Sequence, residues 1–221
     1  MIPKLLLTSQ GIPKELKAVF LSLLAKPPEE IKLAFVTTAA YGDYDNPTWL
    51  EVYRKQLRGY GITKTEDLDI RNKNKEELGE IVRDKDIILV NGGNTFFLLK
   101  WMRKSGFDSI VRKHIKKGKL YIGISAGSYI ACPTIEQGLW NQKFRDIKTF
   151  GMKNLRGLNL VPFWIVAHFE EKWRKDIEIA AKRTKYPIIA LNDTQAVLIE
   201  GKKWGVVGKG KKVIFNSDKI Q

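Results

Sequence analysis

The chain is predicted to be an α/β protein, with a doubly wound, mostly parallel sheet flanked by helices and a C-terminal antiparallel meander. Three observations predict this. Short, near-continuous apolar runs such as IKLAFVT (31–37) and DIILV (86–90) have the composition of strands buried on both faces of a parallel sheet. Amphipathic, helix-like stretches alternate with them. Two small-residue corners, NGGNT (91–95) and the turn inside LYIGISAGS (120–128), directly follow apolar runs and lead into helices.

In chain order, residues 4–8 read as a first strand. Residues 13–26 read as a helix with Leu16, Val19, Phe20, Leu23 and Leu24 inward, ended by Pro27 and Pro28. Strand 31–37 is followed by a Gly/Asp/Asn-rich loop (39–47) and a helix (48–58) closed by Gly59 and Gly61. A weaker strand (63–70), a helix (75–84) and strand 86–90 come next, then the Gly92-Gly93 corner and helices 96–104 and 108–117. Beyond strand 120–124, residues 129–135 read as a short helix and 136–160 as a polar connection. Strand 161–167 carries Pro162 at its start, where a missing N–H costs least. A charged helix (170–185), strand 187–191 and three strands separated by Gly201 and Gly208-Lys209-Gly210 complete the chain. No repeat or linker divides it, so residues 1–221 are expected to form one domain.

The 221 residues suffice for a sizeable core, and 43% hydrophobic with 29% charged residues is ordinary for a globular protein. No apolar run reaches the length of a membrane span, and the N-terminal apolar stretch is too short for a signal peptide, so a cytoplasmic protein is expected. The single cysteine, Cys132, excludes an internal disulfide and reads as a small core residue. With only His114 and His168, no Cys/His metal cluster is expected, and neither metal nor cofactor is called for. The formal net charge of +15 is mostly scattered lysine. The basic runs at 112–119 and 202–212 hold one aromatic residue, Trp204, and no nucleic-acid reading motif, which favours a solvated surface. The expected partner is a small peptide substrate, without nucleic acid or membrane; a homodimer is left open.

The chemistry is read from strand ends. Residues 123–127 form a G-x-S-x-G elbow, which exposes the Ser125 hydroxyl and aims the Ala126 N–H at the attacked acyl oxygen. Two adjacent glycines at 92–93 let the backbone of that corner point further N–H donors at the same charge. His168 follows strand 161–167, and Asp193 lies in the turn after strand 187–191. Open parallel sheets carry their chemistry outside the carboxyl ends of strands. Ser125, His168 and Asp193 therefore supply nucleophile, base and orienting acid. His114, in a Lys-rich helix, reads as a surface residue. Glu136 and Asp146 are the alternative acids. Using either before the histidine would match an α/β-hydrolase-type esterase, and a basic, non-catalytic binding module is the other alternative.

YIGISAGSYIACPTI (121–135), with Gly92-Gly93-Asn94-Thr95 before a helix and Ala167-His168-Phe169 after a strand, resembles the peptidase E (aspartyl dipeptidase) branch of the S51 serine peptidases. The resemblance implies a fold similar to class I glutamine amidotransferases and flavodoxin-like sheets, and hydrolysis of short peptides. It implies Ser125 as nucleophile, His168 as base, Gly93 and Ala126 as oxyanion amides, and Asn94 and Thr95 as substrate contacts. The aspartate assigned in peptidase E shortly after the CPTI run is matched here by Trp140, whereas other members place an acid where Asp193 stands. A preference for N-terminal aspartate calls for a cation, and Arg174, in the helix after His168, is the candidate because its planar fork binds carboxylates bidentately.

Overall fold

A computed structural model describes residues 2–140 and 149–219 of the chain. The elements are β1 (Lys4–Thr8), α1 (Lys17–Ser22), β2 (Lys32–Val36), α2 (Trp49–Gly59), β3 (Lys64–Leu68), α3 (Lys75–Arg83), β4 (Ile87–Val90), α4 (Thr95–Ser105), α5 (Phe107–Lys116), β5 (Leu120–Ile124) and α6 (Ala126–Ala131). After α6 come β6 (Trp164–Val166), α7 (Arg174–Ala181), β7 (Ile188–Ala190), β8 (Gln195–Glu200), β9 (Lys203–Gly208) and β10 (Val213–Phe215).

The main sheet has seven strands in the order β3-β2-β4-β5-β1-β8-β9. The first five are mutually parallel, and β8 and β9 add an antiparallel hairpin beside β1. The predicted α/β architecture is thus present. Side chains alternate across the sheet with the period of two that a strand imposes. Leu5, Leu7, Ile88, Val90 and Tyr121 pack on the side of α3 to α6. Leu6, Ile87, Leu89, Ile122 and Ile124 pack on the side of α1 and α2. The polar β3 ends the sheet, as suits an edge strand.

The chain departs from one continuous sheet in its last third. β6, β7 and β10 form a second sheet of order β10-β7-β6, β7 running parallel to β6 and antiparallel to β10. The predicted meander is therefore shared between the sheets: β8 and β9 extend the main one, and β10 crosses to the small one. Gly208 and Gly210 make the crossing feasible. Both have positive φ, and a Cβ on Gly208 would stand 2.0 Å from the Thr194 carbonyl oxygen. Pro162 lies before β6 rather than inside it, and the helix after the elbow begins at once, at Ala126.

The sheets are joined through α6. β6 is an edge strand whose outward N–H groups need acceptors. The Ile165 N–H donates to Cys132 Sγ at 3.3 Å, and the Ala167 N–H donates to the Tyr129 hydroxyl at 3.1 Å. Cys132 is fully buried, as expected, and burial pushes its thiol up to about 12. His114 differs from its reading as a surface residue. It is 4% exposed, lies on the inward stripe of α5 with Ile110, Val111 and Ile115, and donates through Nε2 to the Leu120 carbonyl at 3.2 Å. Among the described residues no helix is long and apolar enough to cross a membrane.

Two outcomes are expected. Gly127→Ala would set a methyl 2.1 Å from the Val90 carbonyl oxygen, so it should lower unfolding stability by about 2 kcal/mol or more in a urea titration. Burial lowers the His114 pKa from 6.5 to about 4. The unfolded chain then takes up the proton first, so stability present above 6.5 should decline as pH falls toward 4. In His114→Gln, urea midpoints measured across that window should fall less steeply.

Candidate active site

The elbow is built from close backbone approaches. A Cβ on Gly123 would stand 2.5 Å from the Gly127 carbonyl oxygen, so these positions accept only glycine where β5 turns back under α6. Ser125 sits at the corner with φ 49° and ψ −104°, a conformation a non-glycine residue adopts only under constraint. The constraint includes its N–H, which donates to the Thr8 carbonyl at 3.0 Å, and the Ser128 and Tyr129 amides, which donate to its carbonyl. The Ser128 hydroxyl, fully buried, lies 2.8 Å from both the Thr8 and Gly123 carbonyls and ties the elbow to β1.

The Gly92-Gly93 corner lies against this elbow: a Cβ on Gly92 would stand 3.2 Å from Ser125 Cβ. Gly93 has φ +134° and passes so close to the Ala39 carbonyl that a Cβ there would stand 2.3 Å from its oxygen. Among the described residues, neither the Gly93 N–H nor the Ala126 N–H has an acceptor. Both are backbone donors available to a developing oxyanion.

His168 stands two residues past β6 and Asp193 three past β7, so base and acid come from the small sheet while the serine comes from the large one. The structure brings the three together. His168 Nε2 is 3.2 Å from Ser125 Oγ, and His168 Nδ1 is 2.6 Å from Asp193 Oδ1. An ionised carboxylate only accepts, so Nδ1 carries the proton and Nε2 presents a lone pair to the serine hydroxyl. The Asp193 turn does not need its own aspartate as a cap. Asn192 Oδ1 accepts from the Thr194 N–H and hydroxyl at 2.9 Å, and Asn192 Nδ2 donates to the Lys209 carbonyl. Of the alternative acids, Glu136 is exposed at the start of a 3-10 turn, and Asp146 lies outside the described residues.

Three residues expected to contact substrate have partners or burial within the fold. Asn94 is 1% exposed; its Oδ1 caps α4 by accepting from Phe97 N–H, and its Nδ2 donates to the Asp43 carboxylate at 2.9 and 3.1 Å. Thr95 is buried in the first turn of the same helix. Arg174 pairs with Glu171 and packs over the rings of Phe169 and Phe215, 5.9 and 5.5 Å from their centroids. Among the described residues, no hydrogen bond or ion pair joins it to Ser125, His168 or Asp193. One contributor went unread in the sequence: Ser9, just past β1, whose hydroxyl donates to Asp193 Oδ1 at 2.9 Å and accepts from the His168 N–H at 2.7 Å. A serine after an apolar strand carries no local signal of such a role.

A family model described as Peptidase family S51 matches residues 5–207. An uncharacterized peptidase of Listeria monocytogenes is 36% identical over 163 residues, covering 70% of this chain and 76% of that protein. A peptidase E of Nostoc is 35% identical over 94 residues, covering 42% of this chain and 36% of that one. In structure, the chain is similar to a candidate peptidase E from Listeria monocytogenes, with a TM-score of 0.78 and 28% identity over 95% of this chain and 100% of that one. A peptidase from an acI-B1 Actinobacterium shares the fold at a TM-score of 0.71 and 19% identity, over 97% and 91% of the two chains. With the elbow serine in place and the family model spanning nearly its whole length, this chain belongs to peptidase family S51 and is a serine peptidase.

Proposed function

We propose that the protein hydrolyses short peptides, dipeptides among them, through an acyl-enzyme formed on Ser125, with His168 as general base and Asp193 as the orienting acid. The observation that carries this reading is the placement of His168 between the two, 3.2 Å from Ser125 Oγ and 2.6 Å from Asp193 Oδ1. As Ser125 Oγ attacks the scissile carbonyl carbon, its proton passes to His168 Nε2. The carbonyl oxygen becomes an oxyanion, which the Gly93 and Ala126 amides receive. Collapse of the tetrahedral intermediate breaks the C–N bond, and His168 returns the proton to the departing amine. Water, deprotonated by the same nitrogen, then releases the acid product. Asp193 stays ionised and stabilises the imidazolium that forms twice per cycle.

An aspartyl preference is a narrower reading, and Arg174 is poorly placed to supply it. Its guanidinium is already paired with Glu171 at a partly exposed site, so a substrate carboxylate there would share an ion that is already neutralised and solvent-screened.

Ser125→Ala and His168→Ala should each lower kcat for peptide hydrolysis by about a thousandfold or more, with the fold retained. Asp193→Asn should cost about a hundredfold or more and Glu136→Gln less than about twofold; the opposite ranking would move the acid. Comparing Asp-Leu, Asn-Leu and Ala-Leu tests substrate choice. Arg174→Ala should change the Asp-Leu to Ala-Leu ratio by less than about twofold, and a loss of tenfold or more would return the specificity role to Arg174.

A further inference from the structure

Ser9 is fully buried, and its hydroxyl lies between two groups whose polarities are fixed. The His168 backbone N–H can only donate, so Ser9 Oγ accepts there at 2.7 Å. The Asp193 carboxylate only accepts, so the single hydroxyl proton points to Oδ1 at 2.9 Å. That same Oδ1 receives Nδ1–H of His168. The hydroxyl thus ties the acid to the backbone of the residue whose ring the acid orients. His168 also has φ 59°, a left-handed conformation that a non-glycine residue holds only with help from its surroundings, and the bond to Ser9 supplies some.

Ser9 is itself held by several elements. Its N–H donates to the Gln195 carbonyl at 3.2 Å, linking it to β8, the strand after Asp193. Two residues on, Gly11 has φ +54° and packs so closely on Tyr53 that a Cβ would stand 2.7 Å from the ring. The Ile12 N–H donates to Gln56 Oε1 at 2.8 Å, and the Tyr60 hydroxyl donates to the Ile12 carbonyl at 2.9 Å. Helix α2 and Tyr60, the residue just past it, thereby clamp the loop after β1. Tyr53 also feels the charge of Asp193; burial and that charge push its hydroxyl up to about 12, so it remains neutral beside the acid.

We infer that Ser9 is a positioning residue of the site: its hydroxyl, bridging the His168 amide and the Asp193 carboxylate, locks the imidazole in the orientation and tautomer that base catalysis needs. This rests on the serine-peptidase mechanism proposed above. Ser9 touches neither substrate nor the attacking atom, so its removal should act on kcat and hardly on KM.

The test is a double-mutant cycle read together with proton NMR. Ser9→Ala should lower kcat by about ten- to hundredfold with KM within about twofold, while in the Asp193→Asn background the same change should cost less than about twofold. Without substrate, the downfield Nδ1–H proton of His168 should be seen in the wild type and be lost or broadened in Ser9→Ala. Only two histidines need assigning, and His114→Gln identifies the other. Ser9→Cys keeps a side-chain hydrogen-bonding group but is weaker both as donor and as acceptor; it should give the same pattern at smaller amplitude, and it replaces Ser9→Ala if that variant fails to fold. Undiminished kcat with an unchanged Nδ1–H signal would overturn the inference, as would equal losses in both backgrounds. If the wild type hydrolysed no peptide, the proposed function would fail, yet the Nδ1–H signal would still decide the role of Ser9.

Discussion

The site depends on one structural constraint: two separate sheets must meet at a fixed register. Ser125 stands at the end of β5 in the large sheet, whereas His168 and Asp193 follow strands of the small one. A shift of one ångström between the sheets would open the 3.2 Å contact from His168 to Ser125. The register is set by backbone donors of the β6 edge, which would otherwise be buried without acceptors and are met by Tyr129 of α6 and by Cys132, the residue that ends it. Because α6 starts at the residue after Ser125, the helix that docks the histidine strand also fixes the serine. Ser9 crosses the same junction from β1.

Local strain and close approach follow from this arrangement. Ser125 and His168, two of the three central residues, both have positive φ, and each is tied to β1 or its continuation: Ser125 by a bond to the Thr8 carbonyl, His168 by a bond to Ser9. Such conformations cost on the order of 1 to 3 kcal/mol each and persist only where neighbouring structure over-determines them. The glycines at 93, 123 and 127 are the counterpart of that strain. Each leaves room for a backbone segment that any side chain would displace, and their close packing holds the corner beside Ser125 so that, among the described residues, the Gly93 and Ala126 amides have no acceptor.

Much of this was legible in the residues because it is encoded locally. Near-continuous apolar runs located the main strands, small-residue corners marked the turns at Gly92-Gly93 and Ser125, and the positions of His168 and Asp193 just past apolar runs put them at strand ends. What escaped is non-local. The three-residue strands β6, β7 and β10 look like any short apolar run, and nothing in them says that they pair with one another instead of with the main sheet. Asn94 was legible as a polar residue at a corner, but its capping of α4 and its bond to Asp43 depend on a loop distant in sequence. Arg174 has a partner three residues away, a pairing its helical spacing could have suggested. The stripe formed by Phe107, Ile110, Val111, His114 and Ile115 could likewise have put His114 inside, had the lysines around it weighed less.

The central claim is that Ser125 attacks a carbonyl whose oxygen is received by the Gly93 and Ala126 amides beside His168. The most direct measurement is a crystal structure of the protein after reaction with a fluorophosphonate, whose phosphorus mimics the tetrahedral carbon. The account predicts a single covalent bond to Ser125 Oγ, with one phosphoryl oxygen within hydrogen-bond reach of both amides and His168 Nε2 facing the adduct. An adduct on another residue, or a phosphoryl oxygen turned away from both amides, would contradict it.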